Sequence, residues 1–338
     1  IVGLVVVMLS ELRRGIDSID EELIRLIGER VRLAAEIGRV KRSLGMFIVD
    51  RDREREVIAR WVEGLSKFGI DVETAVDIAQ AMIRASTEAQ LMGKLDIGVT
   101  IIGSGKVGRT LARALGKVTS VTIQRHSEEL VPNDIVILAT RPTQESLDVI
   151  SRYSGRLRGS IIMDAFSVKT PMFRLIEGES LRSGFHYVSI HPLFGELSNP
   201  IGETVVLIPS RSSGDKLGIA RELFASAGFN VVVLESPEEH DRLMAYIQVV
   251  HHVLLLTLYK AMRRAGLGLD TPLATHSLKY TLKALERVLE QPEVSGELFR
   301  LNPYSRTVVS ELGDLLKEVV RELETGSIGV VSNDNQGI

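Results

Sequence analysis

Leu12, Ile16, Ile19, Leu23 and Leu26 step along the chain by alternating fours and threes, and Leu33, Ile37 and Val40 continue the series. That spacing places one apolar stripe on a helix. It predicts a helix over 10–44, with Ser10 as N-cap and Gly45 as C-terminal stop. Arg30 falls between Leu26 and Leu33, where the stripe calls for another apolar side chain. A charge on such a seam needs something to pair with it. The helix would be roughly 50 Å long at 1.5 Å per residue. One stripe of that length needs cover along all of it, so a homodimer is expected. Two shorter helices follow at about 50–68 and 71–92, then a linker at 93–96.

The pattern then changes period. Short β-rich runs stand at 99–102, 121–123, 135–139, 160–163, 187–190, 205–208 and 231–234, most of them separated by helical segments. This predicts a parallel α/β sheet. Beyond Pro237 the chain turns helical again, at about 238–265, 271–290 and 305–325. With 338 residues, two or three domains are expected.

Charge and composition narrow the chemistry. Net charge is −3, from 41 Lys+Arg against 44 Asp+Glu, which argues against nucleic acid as the main partner. The chain has no Cys, so disulfides and thiolate metal sites are excluded, no metal is expected, and a cytoplasmic setting fits. The apolar opening, Ile1 to Val7, is too short for a signal or membrane segment and has no basic leader. No other stretch is expected to span a membrane. Since no Met opens the chain, the start is expected at Met8 or at a position upstream.

Polar residues on the first three helices form a pattern. Arg30 and Lys41 are eleven residues apart, about three turns, and so within roughly 20° of each other; Arg13 falls about 100° away from Arg30, which suits a different cavity, such as one in a partner chain. Asp50, Arg53 and Glu54 stand at i, i+3, i+4 on the second helix, and Ser86 and Gln90 at i, i+4 on the third. A cavity with this excess of cations suits a small polyanion. Taken singly, each residue fits an ordinary solvated surface with helix ion pairs. As a set, Leu12-Arg13-Arg14-Gly15-Ile16-Asp17-Ser18-Ile19-Asp20, Glu29-Arg30, Gly38-Arg39-Val40-Lys41, Asp50-Arg51-Asp52-Arg53-Glu54 and Ser86-Thr87-Glu88-Ala89-Gln90 resemble the all-helical chorismate mutases.

The resemblance implies that Arg13 and Arg30 clamp the substrate carboxylates, with Arg13 reaching into a partner's site. It implies that Lys41 and Gln90 hold the ether oxygen and that Glu54 and Asp50 fix the ring hydroxyl. Arg53 and Ser86 complete the pocket. A Claisen rearrangement needs the substrate folded end to end. It also needs donors where charge grows on the ether oxygen, and it has no use for a nucleophile.

After the first β-run comes Gly103-Ser104-Gly105-Lys106-Val107-Gly108, a G-x-G-x-x-G between strand and helix, the setting in which that motif binds a dinucleotide. Thr140, after the third run, is a further cofactor candidate. Where NAD enzymes carry an acid, at the end of the second strand, this chain reads Gln124-Arg125-His126. Arg125 can hold a 2′-phosphate, so the cofactor is NAD or NADP, leaning to NADP; the plainer reading of Arg125 is a solvated loop cation.

Asp164-Ala165-Phe166-Ser167-Val168-Lys169, His191-Pro192-Leu193-Phe194-Gly195 and the stretch from Glu239-His240-Asp241 through Gln248 to His252 together resemble the prephenate dehydrogenases. The resemblance runs over about 96–325. It implies His191 as the catalytic histidine that accepts a hydrogen bond from the substrate's ring hydroxyl, with Ser167 orienting it. His240 and Gln248 line the pocket, and Arg287 binds a carboxylate.

The fold class expected is therefore multidomain. An all-α mutase domain (1–93) precedes a Rossmann-like α/β dinucleotide-binding domain (96–235), an all-α substrate and dimerisation domain (236–328) and a flexible tail (329–338). The expected function is tyrosine biosynthesis, with chorismate converted to prephenate and prephenate oxidised and decarboxylated to 4-hydroxyphenylpyruvate. Three alternatives stand beside it: oxidation of arogenate instead of prephenate, an inactive nucleotide-sensing regulator, and, for the first segment, a helical dimerisation module without mutase activity, in which Arg30 on the seam would be costly. Retention of His191, Ser167, Lys41 and Gln90 argues against the regulator.

Overall fold

The computed structural model describes residues 2–44, 49–90 and 95–326. The expected stop at Gly45, the linker residues Gly93 and Lys94 and the tail at 329–338 lie outside the described residues. By packing, the chain divides into two compact units, Ile1–Phe166 with Glu177–Val233, and Ser167–Ile176 with Leu234–Ile338.

The first unit opens with helices α1 (Val2–Ser43), α2 (Arg51–Ser66) and α3 (Val72–Gln90). Ser10 lies inside α1 and does not cap it, because nothing among the Val, Met and Leu residues before it breaks a helix. The apolar stripe is exposed throughout, Leu12, Ile16, Ile19, Leu23, Leu26, Leu33, Ile37 and Val40 included. α3 packs instead on the neighbouring face of α1, where Ala34 and Gly38 are buried at i+4 and i+8 from Arg30. The face of α3 is also small, with Ala75, Ala79, Ser86, Thr87 and Ala89 buried. Small side chains on both helices let the backbones come close. Asp50 caps α2 by accepting from the Arg53 N–H at 3.0 Å, and Asp71 accepts from the Thr74 N–H at 2.9 Å at the start of α3.

The sheet follows as β1 (Gly98–Ile102), α4 (Lys106–Leu115), β2 (Ser120–Gln124), β3 (Ile135–Leu138), α5 (Gln144–Tyr153), β4 (Ile161–Asp164), α6 (Thr170–Ser183), β5 (His186–Pro192), β6 (Thr204–Pro209), α7 (Lys216–Ser226) and β7 (Asn230–Val233). All seven expected strands form, in the order β2-β1-β3-β4-β5-β6-β7. The pairing is parallel except between β5 and β6, which run antiparallel. That departure from an all-parallel sheet has a simple cause. No helix lies between these two strands, and a parallel return needs a crossover long enough to carry one. The core joins Val99, Ile101, Leu111, Ile137, Ile190 and Phe224 across the sheet and its helices.

The second unit contains α8 (Pro237–Met244), a π-helical segment (Ala245–Val250), α9 (His251–Arg264), α10 (His276–Leu289), α11 (Pro292–Leu301) and α12 (Ser305–Thr325). Ser236 caps α8 by accepting from the Glu239 N–H at 3.1 Å. Periodicity does not predict α11, because Pro292 reads as a terminator; it stands in the first turn, where its missing N–H costs nothing. The run Pro237–Arg264 is also long and apolar enough to cross a membrane, with a mean hydropathy of 1.3 in its most apolar window, contrary to the expectation from sequence. In the fold its Val249, Leu255 and Met262 are buried in apolar clusters with Val288 and Leu298.

Candidate active sites

The three N-terminal helices bring most of the first candidate set together. Arg30 is half-buried and donates from Nη1 to the Met82 carbonyl at 2.7 Å and to Ser86 Oγ. The partner that its place on the seam demanded is thus the polar edge of α3. Burial, and then the nearby Arg53 guanidinium, hold Arg30 below the ordinary arginine value. Glu54 is half-buried, and burial pushes it above the usual carboxylate value; Asp50 adds to the rise, while Arg51 and Lys41 pull against it. Lys41, Asp50 and Glu54 therefore share one electrostatic neighbourhood. Ser86 is buried, and the amide oxygen of Gln90 is shielded from solvent. Arg53 is exposed and donates to Glu56 at 2.7 Å. Arg13 stays apart, exposed on α1 and roughly 25 Å from Arg30 at 1.5 Å per residue.

The Gly-rich turn has the geometry of a dinucleotide cradle. Gly103 adopts φ +119°, and a Cβ there would come within 2.4 Å of the Ala139 carbonyl oxygen. A Cβ at Gly108 would sit 2.1 Å from the Gly103 oxygen, so the third glycine lets α4 press on the turn. Gly105 faces open space and caps α4 with no side chain, and no acid stands in the first turn of that helix. These features fit a pyrophosphate approaching the backbone at a helix N-terminus. Ser104, Lys106 and Val107 lie in the same turn. Thr140 Oγ1 bonds Ser146 Oγ at 2.8 Å.

Gln124 is committed to the fold. Its Nε2 donates to the Glu129 carbonyl at 2.8 Å and its Oε1 accepts from the Val131 N–H at 2.9 Å, lacing the loop that leaves β2. Arg125 is exposed on that loop, and its N–H donates to Glu128.

His191 is buried on β5, opposite Val206 of β6. The segment after it is braced to α4. Arg109 donates to the Ser104 carbonyl at 2.7 Å and to Glu196 at 3.1 Å. Thr110 Oγ1 accepts from the Leu197 N–H, and Arg113 donates to the carbonyls of Leu197 and Ser198. Sequence reasoning missed this brace, since exposed arginines on a helix carry no signal of what they reach.

In the second unit the fully buried Asp241 is the centre of a network. It accepts from the N–H of Lys169 at 2.9 Å and of Thr170 at 2.8 Å, from Thr170 Oγ1 at 2.5 Å, and pairs with His240 Nδ1 at 2.9 Å. Burial by itself raises its carboxyl; the hydrogen bonds from His240, Thr170 and Lys169 outweigh that and hold it below the usual range. His240 is also fully buried. Ser167 is half-buried just before α6, Gln248 sits in the π-helical segment with a buried amide oxygen that lacks a hydrogen bond, and Arg287 is exposed near the end of α10. π-Helical turns concentrate at functional sites. His252 pairs with Ser295 at 2.8 Å, and burial and then His251 hold it below the ordinary imidazole value.

A three-helix cluster of polar and charged side chains followed by a glycine-cradle sheet marks a two-part enzyme. Residues 12–91 match chorismate mutase type II, and through them the chain belongs to that family. The chorismate mutase of Methanocaldococcus jannaschii is 32% identical over 82 residues, covering 24% of this chain and 83% of that protein. The T-protein of Haemophilus influenzae is 28% identical over 348 residues, covering 97% of this chain and 89% of that protein. In fold, the chain resembles the crystal structure of the prephenate dehydrogenase from A. aeolicus in complex with hydroxyphenyl propionate and NAD+. That likeness has a TM-score of 0.51 and 19% identity, over 68% of this chain and 93% of the other.

Proposed function

We propose that the chain is a bifunctional enzyme of tyrosine biosynthesis, rearranging chorismate to prephenate and then oxidising and decarboxylating prephenate to 4-hydroxyphenylpyruvate. One observation carries this most. The Arg30–Ser86 contact and the three-glycine turn stand in one chain, whose likeness to a T-protein runs across both.

In the first reaction the residues do no proton chemistry. Arg30 holds a carboxylate, Glu54 and Asp50 hold the ring hydroxyl, and Lys41 and Gln90 donate to the ether oxygen as its bond to carbon breaks. In the second, a bound nicotinamide dinucleotide supplies the hydride acceptor. His191 in its neutral form accepts a hydrogen bond from the ring hydroxyl, the phenol keeping that proton as hydride leaves and carbon dioxide is lost, and Arg287 binds a carboxylate. Arg125, standing where an acid would repel a 2′-phosphate, gives a preference for NADP.

Single substitutions test the division of labour. Lys41→Ala and Gln90→Ala should each lower mutase kcat on the order of 100-fold or more, the usual cost of one such donor, and leave the dehydrogenase near normal. His191→Asn should do the reverse. A mutase rate within a few-fold of wild type in Lys41→Ala would sink the first assignment. For the cofactor, kcat/KM with NADP should exceed that with NAD, and Arg125→Ala should erase the difference; an NAD preference unchanged by the substitution makes Arg125 a bystander.

A further inference from the structure

We infer that Gly38 is a positioning residue for the rearrangement: its missing side chain sets how closely α1 approaches the end of α3, and so the gap between Lys41 and Gln90. The inference rests on the mutase reading above. A Cβ on Gly38 would lie 2.5 Å from the Gln90 carbonyl oxygen, 2.6 Å from its Cα and 2.9 Å from its carbonyl carbon. All three are backbone atoms, so no rotamer change relieves the contact. Any side chain at 38 must push the α3 backbone away at the very residue whose amide serves the ether oxygen. Lys41, one turn further along α1, would stay with its own helix.

The energetics single out this glycine. Glycine inside a helix costs about 1 kcal/mol relative to alanine. Of the glycines on α1, Gly15 and Gly28 leave open space, and a Cβ on either meets nothing within 4 Å. At Gly38, unlike Gly15 and Gly28, the local structure requires the missing side chain. The neighbours fit the same purpose. Ala34, one turn before, is buried, and Ala89, beside Gln90, is buried with it. Donors to a developing oxyanion act by being fixed in advance at the right distance. A displacement of about 1 Å at such a site can cost on the order of 100-fold in rate.

The experiment compares Gly38→Ala with Gly28→Ala in the full-length enzyme. Both replace a helical glycine, and Gly28 lies about 180° around the helix from the stripe by the 100° count. For each variant one measures mutase kcat and KM, affinity for a bicyclic ether dicarboxylate that mimics the transition state, far-ultraviolet circular dichroism, and dehydrogenase activity on supplied prephenate. We expect Gly38→Ala to lower kcat at least tenfold and to weaken binding of the mimic by a similar factor. KM and the dehydrogenase should change less than threefold, and helix content should match wild type. Gly28→Ala should keep wild-type mutase kinetics. The inference is overturned if Gly38→Ala keeps its mutase kcat, if KM rises while kcat holds, or if helix content collapses, which would make the glycine a packing requirement alone. Should wild type lack mutase activity altogether, the reading of the pocket fails first, and that is visible before any variant is made.

Discussion

Glu54 is the residue whose charge state the site depends on most, because burial raises its carboxyl while Lys41 and Arg51 draw it down. The role proposed for it, toward the ring hydroxyl, needs the anion. A carboxyl raised in the folded protein becomes protonated at a higher pH than an ordinary one. Mutase activity should therefore hold steady across neutral pH and fall on the acid side, beginning above the usual carboxylate range. The Glu54→Gln enzyme should be slower and lack that acid limb; an unchanged limb would assign the titration to another group. At Arg30 the sequence sufficed, since a charge on an apolar series implies a partner, which Met82 and Ser86 supply. It could not tell that the stripe itself stays exposed and that α3 takes the adjacent face. That depended on Ala34 and Gly38, small residues whose value lies only in what they allow to come near.

Two contacts between elements are equally invisible in the sequence. Asp241 ties α8 to the start of α6 by three hydrogen bonds, with a fourth to its neighbour His240, and its carboxyl is held below the usual range. Asp241→Ala would strand two backbone N–H groups and the His240 ring, at about 1–3 kcal/mol for each buried group left unpaired. The second unit should melt well below its wild-type temperature; a shift under a degree would contradict the network. The sign with pH follows from the lowered carboxyl. Its stabilisation is present above the unfolded value and is lost as pH falls through the lower folded value.

The Arg109–Glu196 brace is different in kind, because both side chains are about half exposed and such pairs add roughly 0–1 kcal/mol. Its importance is in joining Ser104 of the cofactor turn to the segment after His191. Arg109→Met should leave the melting temperature and the mutase nearly unchanged while raising the KM for the dinucleotide several-fold. A KM within error of wild type would reduce the brace to surface decoration. Strands and glycine turn were legible from β-rich runs and motif spacing. The antiparallel β5–β6 pair, the π-helical segment and α11 were not, since each depends on a connection or a single turn and not on a periodic pattern.

At the scale of the molecule, the exposed stripe of α1 and the isolation of Arg13 point the same way. In the proposed homodimer, a second copy covering the stripe would bring its own Arg13 toward the Arg30 cluster as the second carboxylate clamp. Mixing Arg13→Ala chains with Lys41→Ala chains tests this without any change in folding. In a mixed dimer the pocket on the Arg13→Ala chain keeps its own Lys41 and gains the partner's Arg13. Mutase activity should recover to roughly a quarter of wild type in a random equal mixture of two-fold dimers. No recovery above the two variants alone would contradict a shared site.

The central claim, two consecutive reactions in one chain, is tested most directly with chorismate as the sole organic substrate. Chorismate loss and reduced-cofactor absorbance are followed together, with NADP and with NAD. One reduced dinucleotide should appear for each chorismate consumed. In Gln90→Ala reduction should nearly stop with chorismate and return in full when prephenate is supplied. Chorismate loss with no cofactor reduction, even when prephenate is added directly to wild type, would contradict the account.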